Sequence, residues 1–290
     1  MQDAAKWESC TQWMQANGLL AGHVKAADAF TNRFNGGNES SAVSIVPVDW
    51  PVDRSRLGGR ETRSARMTVT QELRHKHHDL WDRMVTHPFV IEMGEGTLPV
   101  EKFRAYFLQD YVFVHDLVAM TSMGLAKAPT FPAASQLHQF LAGILNPEND
   151  LFVRAFQELG VPDEEYAATS TAPVTQAFGD FLVRTGLEGS FEDIVTVLYV
   201  TEGTYLDWGT RLLEAGKQPS HPVYREWIDI HSPQVLGAFV AWLGQHLDSA
   251  EIGSPRPRID RIFHTALRYE YLFWEGAYQR SAPWPDHNVG

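Results

Sequence analysis

One cysteine in 290 residues, Cys10, leaves an internal disulfide without a second thiol and makes a cysteine-built metal site implausible. No apolar run approaches the ~20 residues that a membrane helix needs, although the chain is 44% hydrophobic and 12% aromatic, enough for a globular interior. Positive charge is scarce as well. With 24 Lys and Arg against 36 Asp and Glu the formal charge is −12, which argues against nucleic acid as a partner, because phosphate backbones are held by clustered cations. There is no GxSxG, Walker loop or GxGxxG, so serine-hydrolase and nucleotide-binding readings have no motif behind them. Alternating β-branched runs are missing, and no repeat recurs at a fixed period. The start lacks a basic segment followed by an apolar run, so no signal peptide is expected. These absences point to a soluble, cytoplasmic, all-α protein.

Sustained apolar periodicity begins only near residue 69. Residues 1–66 are therefore expected to be an extension, either disordered or translated from an overcalled start, because Thr31 to Arg66 is rich in Gly, Asn, Ser, Pro and Arg. Residues 67–290 are expected to be the folded domain. Its first helix should run from Val69 to Val85 with Thr68 or Thr70 as cap, and a short helix should follow through Ile91 to the turn at Gly94–Gly96. Pro99 should open a long helix to about Ala126. Ala133 to Leu159 reads as a long helix with a break at Asn146–Pro147. Pro173 to Gly186, Ser190 to Glu214, Val223 to His231, Pro233 to Leu247 and Ile259 to Tyr278 complete a bundle of eight or more helices with its pocket between them.

Three of these helices carry an acid in the middle of an apolar stripe. Around Asp110, helical spacing gathers Phe103, Phe107, Phe113, Val114 and Leu117. Glu270 sits among Phe263, Ala266, Leu267, Phe273, Trp274 and Ala277, and Glu202 among Val195, Leu198, Tyr199, Tyr205 and Leu206. A core acid satisfied by a neighbouring Arg, His or Tyr would account for any one of them. Three acids directed inward among aromatic side chains are instead a source of tuned general acids and bases, and the aromatics suit a flat, nitrogen-rich ring. His75, His77 and His78 spread over more than one helical face, and no two His at helical ligand spacing accompany the three acids, so no metal and no cofactor are expected.

The segments FVIEMGEGTLPVEKFRAYFLQDYVFVHDL, LYVTEGTYLDWG, HPVYREWIDIHSP and LRYEYLFWEGAY, in this order, resemble the TenA family of thiamin-salvage enzymes, also called thiaminase II. The likeness spans roughly residues 69 to 284. It implies the haem-oxygenase-like all-α bundle with a central pocket. It also implies hydrolysis of an aminomethyl-pyrimidine, or its N-formyl derivative, to the hydroxymethyl-pyrimidine. Carried onto this sequence, the family's ring-contacting Asp falls on Asp110 and the aromatic three residues on falls on Phe113. The final-helix Glu that serves as acid and base falls on Glu270, with Phe273 as a stacking wall. A pocket Tyr falls on Tyr205, while His231 and Phe178 stand where the family commonly has Tyr.

The resemblance departs at the nucleophile. Where the well-known class places a Cys, an ungapped match through Tyr205 and Gly209 puts Thr201, with Glu202 beside it. The chain resembles the class in which a Glu stands in for the cysteine, which excludes a Cys-linked pyrimidine intermediate. Glu202 and Glu270 are then the candidates to divide water activation and leaving-group protonation. The rivals are an oxygenase of the same fold, metal-dependent or cofactorless, and a non-catalytic pyrimidine-binding regulator. The expected partner is a small pyrimidine, with neither nucleic acid nor membrane, and the expected assembly is a homo-oligomer, dimer or tetramer.

Overall fold

Caps written in the sequence start the described chain, which in the computed structural model comprises residues 67–249, 254–279 and 284, with residue 147 described by its backbone only. The expected extension 1–66, and Cys10 with it, lies outside the described residues. Thr68 opens helix α1 (Val69–Lys76) with a full capping box, its side chain accepting from Gln71 N while the Gln71 side chain accepts from the Thr68 backbone N–H. The single first helix expected to Val85 is broken: His77 separates α1 from α2 (His78–Val85). The cause is tertiary. His77 is buried with Nε2 2.9 Å from Asp260 Oδ1, and its ring stacks on His264 at 4.6 Å.

Pro88 at the first turn opens α3 (Pro88–Glu95), and Gly96, at φ 72°, closes it in the left-handed conformation that glycine adopts without steric cost. After Pro99 comes α4 (Val100–Lys127), which stops at Ala128, the residue before Pro129. Thr130 caps α5 (Phe131–Gly143). The sequence break at Asn146–Pro147 becomes a π-helical turn, Ile144–Glu148, that runs on into α6 (Asn149–Glu158). Pro147 has no N–H for an α-helical bond to residue 143, and the wider turn absorbs that loss.

A five-residue helix α7 (Asp163–Ala167) was not expected; α8 (Pro173–Glu188) was. Ser190 and Asp193 form the capping box of α9 (Phe191–Glu214). Then follow α10 (Pro222–Ile230), α11 (Gly237–Asp248) and α12 (Arg256–Gln279). The helix expected from Pro233 starts four residues later, because 233–236 form turns.

The described residues thus form an all-α bundle without a strand, as expected. Among them no helix is long and apolar enough to cross a membrane. Helix α9 is the centre: it is buried on nearly every side and packs against α12, α11, α4 and α2, while α4 packs most extensively on α8. Trp208 from α9, Trp274 from α12, Trp227 from α10 and Tyr106 from α4 are fully enclosed in one core. Burying each large side chain contributes about 1.5–3 kcal/mol. That packing holds the three acid-bearing helices, α4, α9 and α12, side by side.

Candidate active site

The inward acids of α4, α9 and α12 meet. Asp110 is 5%, Glu202 9% and Glu270 2% exposed, and all three line one cavity of about 350 Å³. The residues that the family resemblance placed at the site line it too: Phe113, Phe178, Thr201, Tyr205, His231 and Phe273. The volume lies at the small end of ordinary ligand pockets, ~300–1,000 Å³.

Two aromatic groups form much of the wall. Phe113 packs on Phe178 and on Phe273, at centroid distances of 4.7 and 5.3 Å. Tyr205 packs on His231 at 4.8 Å, and Trp227 meets the His231 ring edge-on at 4.5 Å. Gly209, one turn of α9 beyond Tyr205, makes this possible, since a Cβ there would overlap the His231 carbonyl oxygen. His231 Nδ1 lies 2.7 Å from the Trp227 carbonyl. A carbonyl only accepts, so Nδ1 carries the proton and Nε2 keeps its lone pair. Burial pushes the His231 pKa down to about 4, so the ring is neutral near pH 7.

A hydroxyl chain holds Asp110. The Tyr106 hydroxyl donates to Asp110 Oδ2 at 3.1 Å and lies 3.0 Å from the Tyr205 hydroxyl. Because Tyr106 has one proton and gives it to the carboxylate, Tyr205 donates to Tyr106. On α9, Thr201 Oγ1 donates to Glu202 Oε1 at 3.0 Å, with the Leu198 carbonyl as its other acceptor at 3.3 Å. Glu270 has no hydrogen-bond partner among the described residues.

The acids raise one another. Burial, joined by the charge of Glu148, pushes Asp110 well above the usual carboxylate range, against the pull of the Tyr106 hydrogen bond. Burial is the main cause for Glu202 as well, which rises to about 8 with help from Glu148 and Asp110, opposed by the Thr201 hydrogen bond. Glu270 is raised well above its usual range by burial, then by Glu202 and Asp110. Near pH 7 such groups can hold a proton in one state and give it up in the next, which is what general acid and base chemistry requires.

Two contributors were missed in the sequence. Glu148, at the end of the π turn, lines the cavity, and burial raises its pKa to about 7. The break at Asn146–Pro147 marked its neighbourhood without showing which way it faces. Tyr106, four residues before Asp110, shares its helical face and could have been counted with the stripe. The histidine triplet goes elsewhere: His75 and His78 stack on each other at 6.3 Å while His77 turns to Asp260 and His264. Among the described residues no group of three or more His, Cys, Asp or Glu is disposed to hold a metal ion.

The model of the TENA/THI-4/PQQC family matches residues 74–280. An aminopyrimidine aminohydrolase of Helicobacter pylori is 29% identical over 216 residues, 73% of this chain and 100% of the relative. A TenA homologue of P. horikoshii superposes with a TM-score of 0.68 at 27% identity, covering 74% of this chain and 100% of its own. A Shewanella denitrificans domain with a haem-oxygenase-like fold superposes at a TM-score of 0.59 and 13% identity, covering 73% of this chain and 92% of its own, a likeness of fold alone.

Proposed function

The chain belongs to the TENA/THI-4/PQQC family, and on that footing we propose that it is an aminopyrimidine aminohydrolase, replacing the amine of an aminomethyl-pyrimidine by hydroxyl in thiamin salvage. The observation that carries the reading is the meeting of the buried Asp110, Glu202 and Glu270 with two aromatic groups on one cavity. The chain also spans the whole length of a curated relative bearing that name.

In the proposed mechanism the flat ring lies against Phe113, Phe178 and Phe273 on one part of the wall and Tyr205 and His231 on another. Asp110, held by Tyr106, faces the ring's amino group and neighbouring nitrogen and sets its orientation. The C–N bond of the side arm breaks with its electron pair leaving on nitrogen, which departs protonated; Glu270 supplies that proton. A water oxygen bonds to the same carbon and loses a proton to Glu202. Amine plus water thus gives alcohol plus ammonia, with no redox change. Thr201 helps to orient Glu202 through its hydroxyl rather than attacking. As part of this reading the enzyme works in the cytoplasm as a homo-oligomer, dimer or tetramer, which size measurement in solution tests.

The function is tested by incubating the full chain with the aminomethyl-pyrimidine, its N-formyl derivative and thiamin, and reading ammonia, formate and thiazole. Ammonia release should be fast and thiazole release slow, because Thr201 stands at the position of the cysteine. Thiazole release as fast as ammonia release, or no ammonia at all, would refute the reading.

A further inference from the structure

Four acids line the cavity, Asp110, Glu148, Glu202 and Glu270, and among the described residues no Lys or Arg does. Glu270 is 2% exposed and has no hydrogen-bond partner among the described residues, so at least one buried acid is open to whatever fills the space. Burying carboxylates is costly unless each is protonated or paired. Asp110 has Tyr106 and Glu202 has Thr201, but Glu148 has no such partner among the described residues. It is nonetheless close enough to Asp110 and Glu202 for its charge to act on both.

Its backbone setting is also unusual. Glu148 closes the π turn Ile144–Glu148, and such turns shift the register of the residues that follow. That turn brings a carboxylate to the cavity wall beside Gly143 and Ile144, which also line it. The cavity is therefore lined by four acids that, among the described residues, no Lys or Arg faces, and its fourth acid has no assigned work.

We propose that Glu148 is a substrate-binding and specificity-determining residue that pairs with the protonated side-arm nitrogen of the substrate. The site thereby selects an ammonium-bearing pyrimidine over an uncharged one of the same shape. This rests on the aminohydrolase reading above and adds the counter-ion of the leaving group to it. An amine that arrives protonated pairs with Glu148 directly; one that arrives neutral takes its proton from Glu270, which becomes the carboxylate. The same lining disfavours a phosphorylated pyrimidine, because an anion would meet four acids and, among the described residues, no Lys or Arg.

The test compares KM for the aminomethyl-pyrimidine with the inhibition constant Ki of the hydroxymethyl-pyrimidine, which has nearly the same shape and no charge. Ammonia release by the unaltered protein is measured first, and its absence would overturn both the aminohydrolase reading and this one. In the unaltered protein KM for the amine should lie about tenfold or more below Ki for the alcohol, the size of a charge-assisted hydrogen bond. Glu148→Gln should raise KM for the amine by about that factor and leave Ki for the alcohol within twofold. Equal shifts of both constants, or a shift of neither, would overturn the proposal while leaving the aminohydrolase reading intact. Should Glu148→Gln fail to fold, the comparison in the unaltered protein still decides: equal binding of amine and alcohol would mean that no residue recognises the ammonium.

Discussion

Replacing Tyr106 by Phe removes one oxygen and keeps the ring, which makes it a sharp probe of how Asp110 is held. The ring is fully buried, stacked on Trp274 at 4.6 Å and edge-on to Phe89 at 5.1 Å. Those contacts survive in the variant, so the fold should remain intact. What disappears is the hydroxyl that donates to Asp110 at 3.1 Å and accepts from Tyr205. A hydrogen bond to a charged group contributes ~1.5–3 kcal/mol, which corresponds to ~10–100-fold in affinity. Since Asp110 is assigned to ring binding in ground and transition states alike, the loss should fall on KM, with kcat changed by less than about threefold. The lost bond also pulled the Asp110 pKa down, so the variant's carboxyl should rise further and the ascending limb of KM-controlled activity should move to higher pH. Steady-state kinetics across pH 6 to 9 are the assay. An unchanged KM together with a large fall in kcat would refute the reasoning, because the hydroxyl would then be acting in the chemistry itself.

Other outcomes follow from the same geometry. Glu202 has a folded pKa of about 8 against an ordinary 4.5, so its contribution to stability is present below pH 4.5 and lost as pH rises through 8. Glu202→Gln should therefore melt at least ~4 °C above the unaltered protein at pH 8.5, with little difference at pH 4.5; the opposite trend by calorimetry would contradict the assignment. Gly209→Ala would push a methyl group into the His231 carbonyl and should cost about 1–3 kcal/mol in denaturant unfolding, with weaker ring binding; a neutral substitution would show that α9 and α10 do not need that close approach. A chain beginning at Met67 should melt and turn over as the full chain does, since the family match covers 74–280, and failure to fold would overturn the proposed division at residue 66.

Much of the fold was legible because caps, prolines and a 3.6-residue period agree. Ser190 with Asp193, Gly96 and Pro99 mark helix ends that the structure reproduces within a residue or two. The break at His77 was not legible, for it answers Asp260 and His264 on a helix more than 180 residues away. Burial of Asp110, Glu202 and Glu270 could be counted from spacing, since each lies amid its own apolar stripe. That they share a cavity could not, because it depends on how α4, α9 and α12 pack. Glu148 escaped for a different reason: a helical period assumes an even 3.6 residues per turn, and the π turn that ends at Glu148 violates it.

The measurement closest to the central claim compares single-turnover ammonia release by Glu202→Gln, Glu270→Gln and Thr201→Ala, each checked for a single cooperative melting transition. Loss of one general acid or base costs ~10²–10⁴ in rate, and both glutamine variants should fall by about that factor, whereas Thr201→Ala, which loses only the hydroxyl that steadies Glu202, should fall by less than about tenfold. A Glu202→Gln protein turning over almost normally beside an inactive Thr201→Ala protein would contradict the carboxylate mechanism and return the chemistry to Thr201.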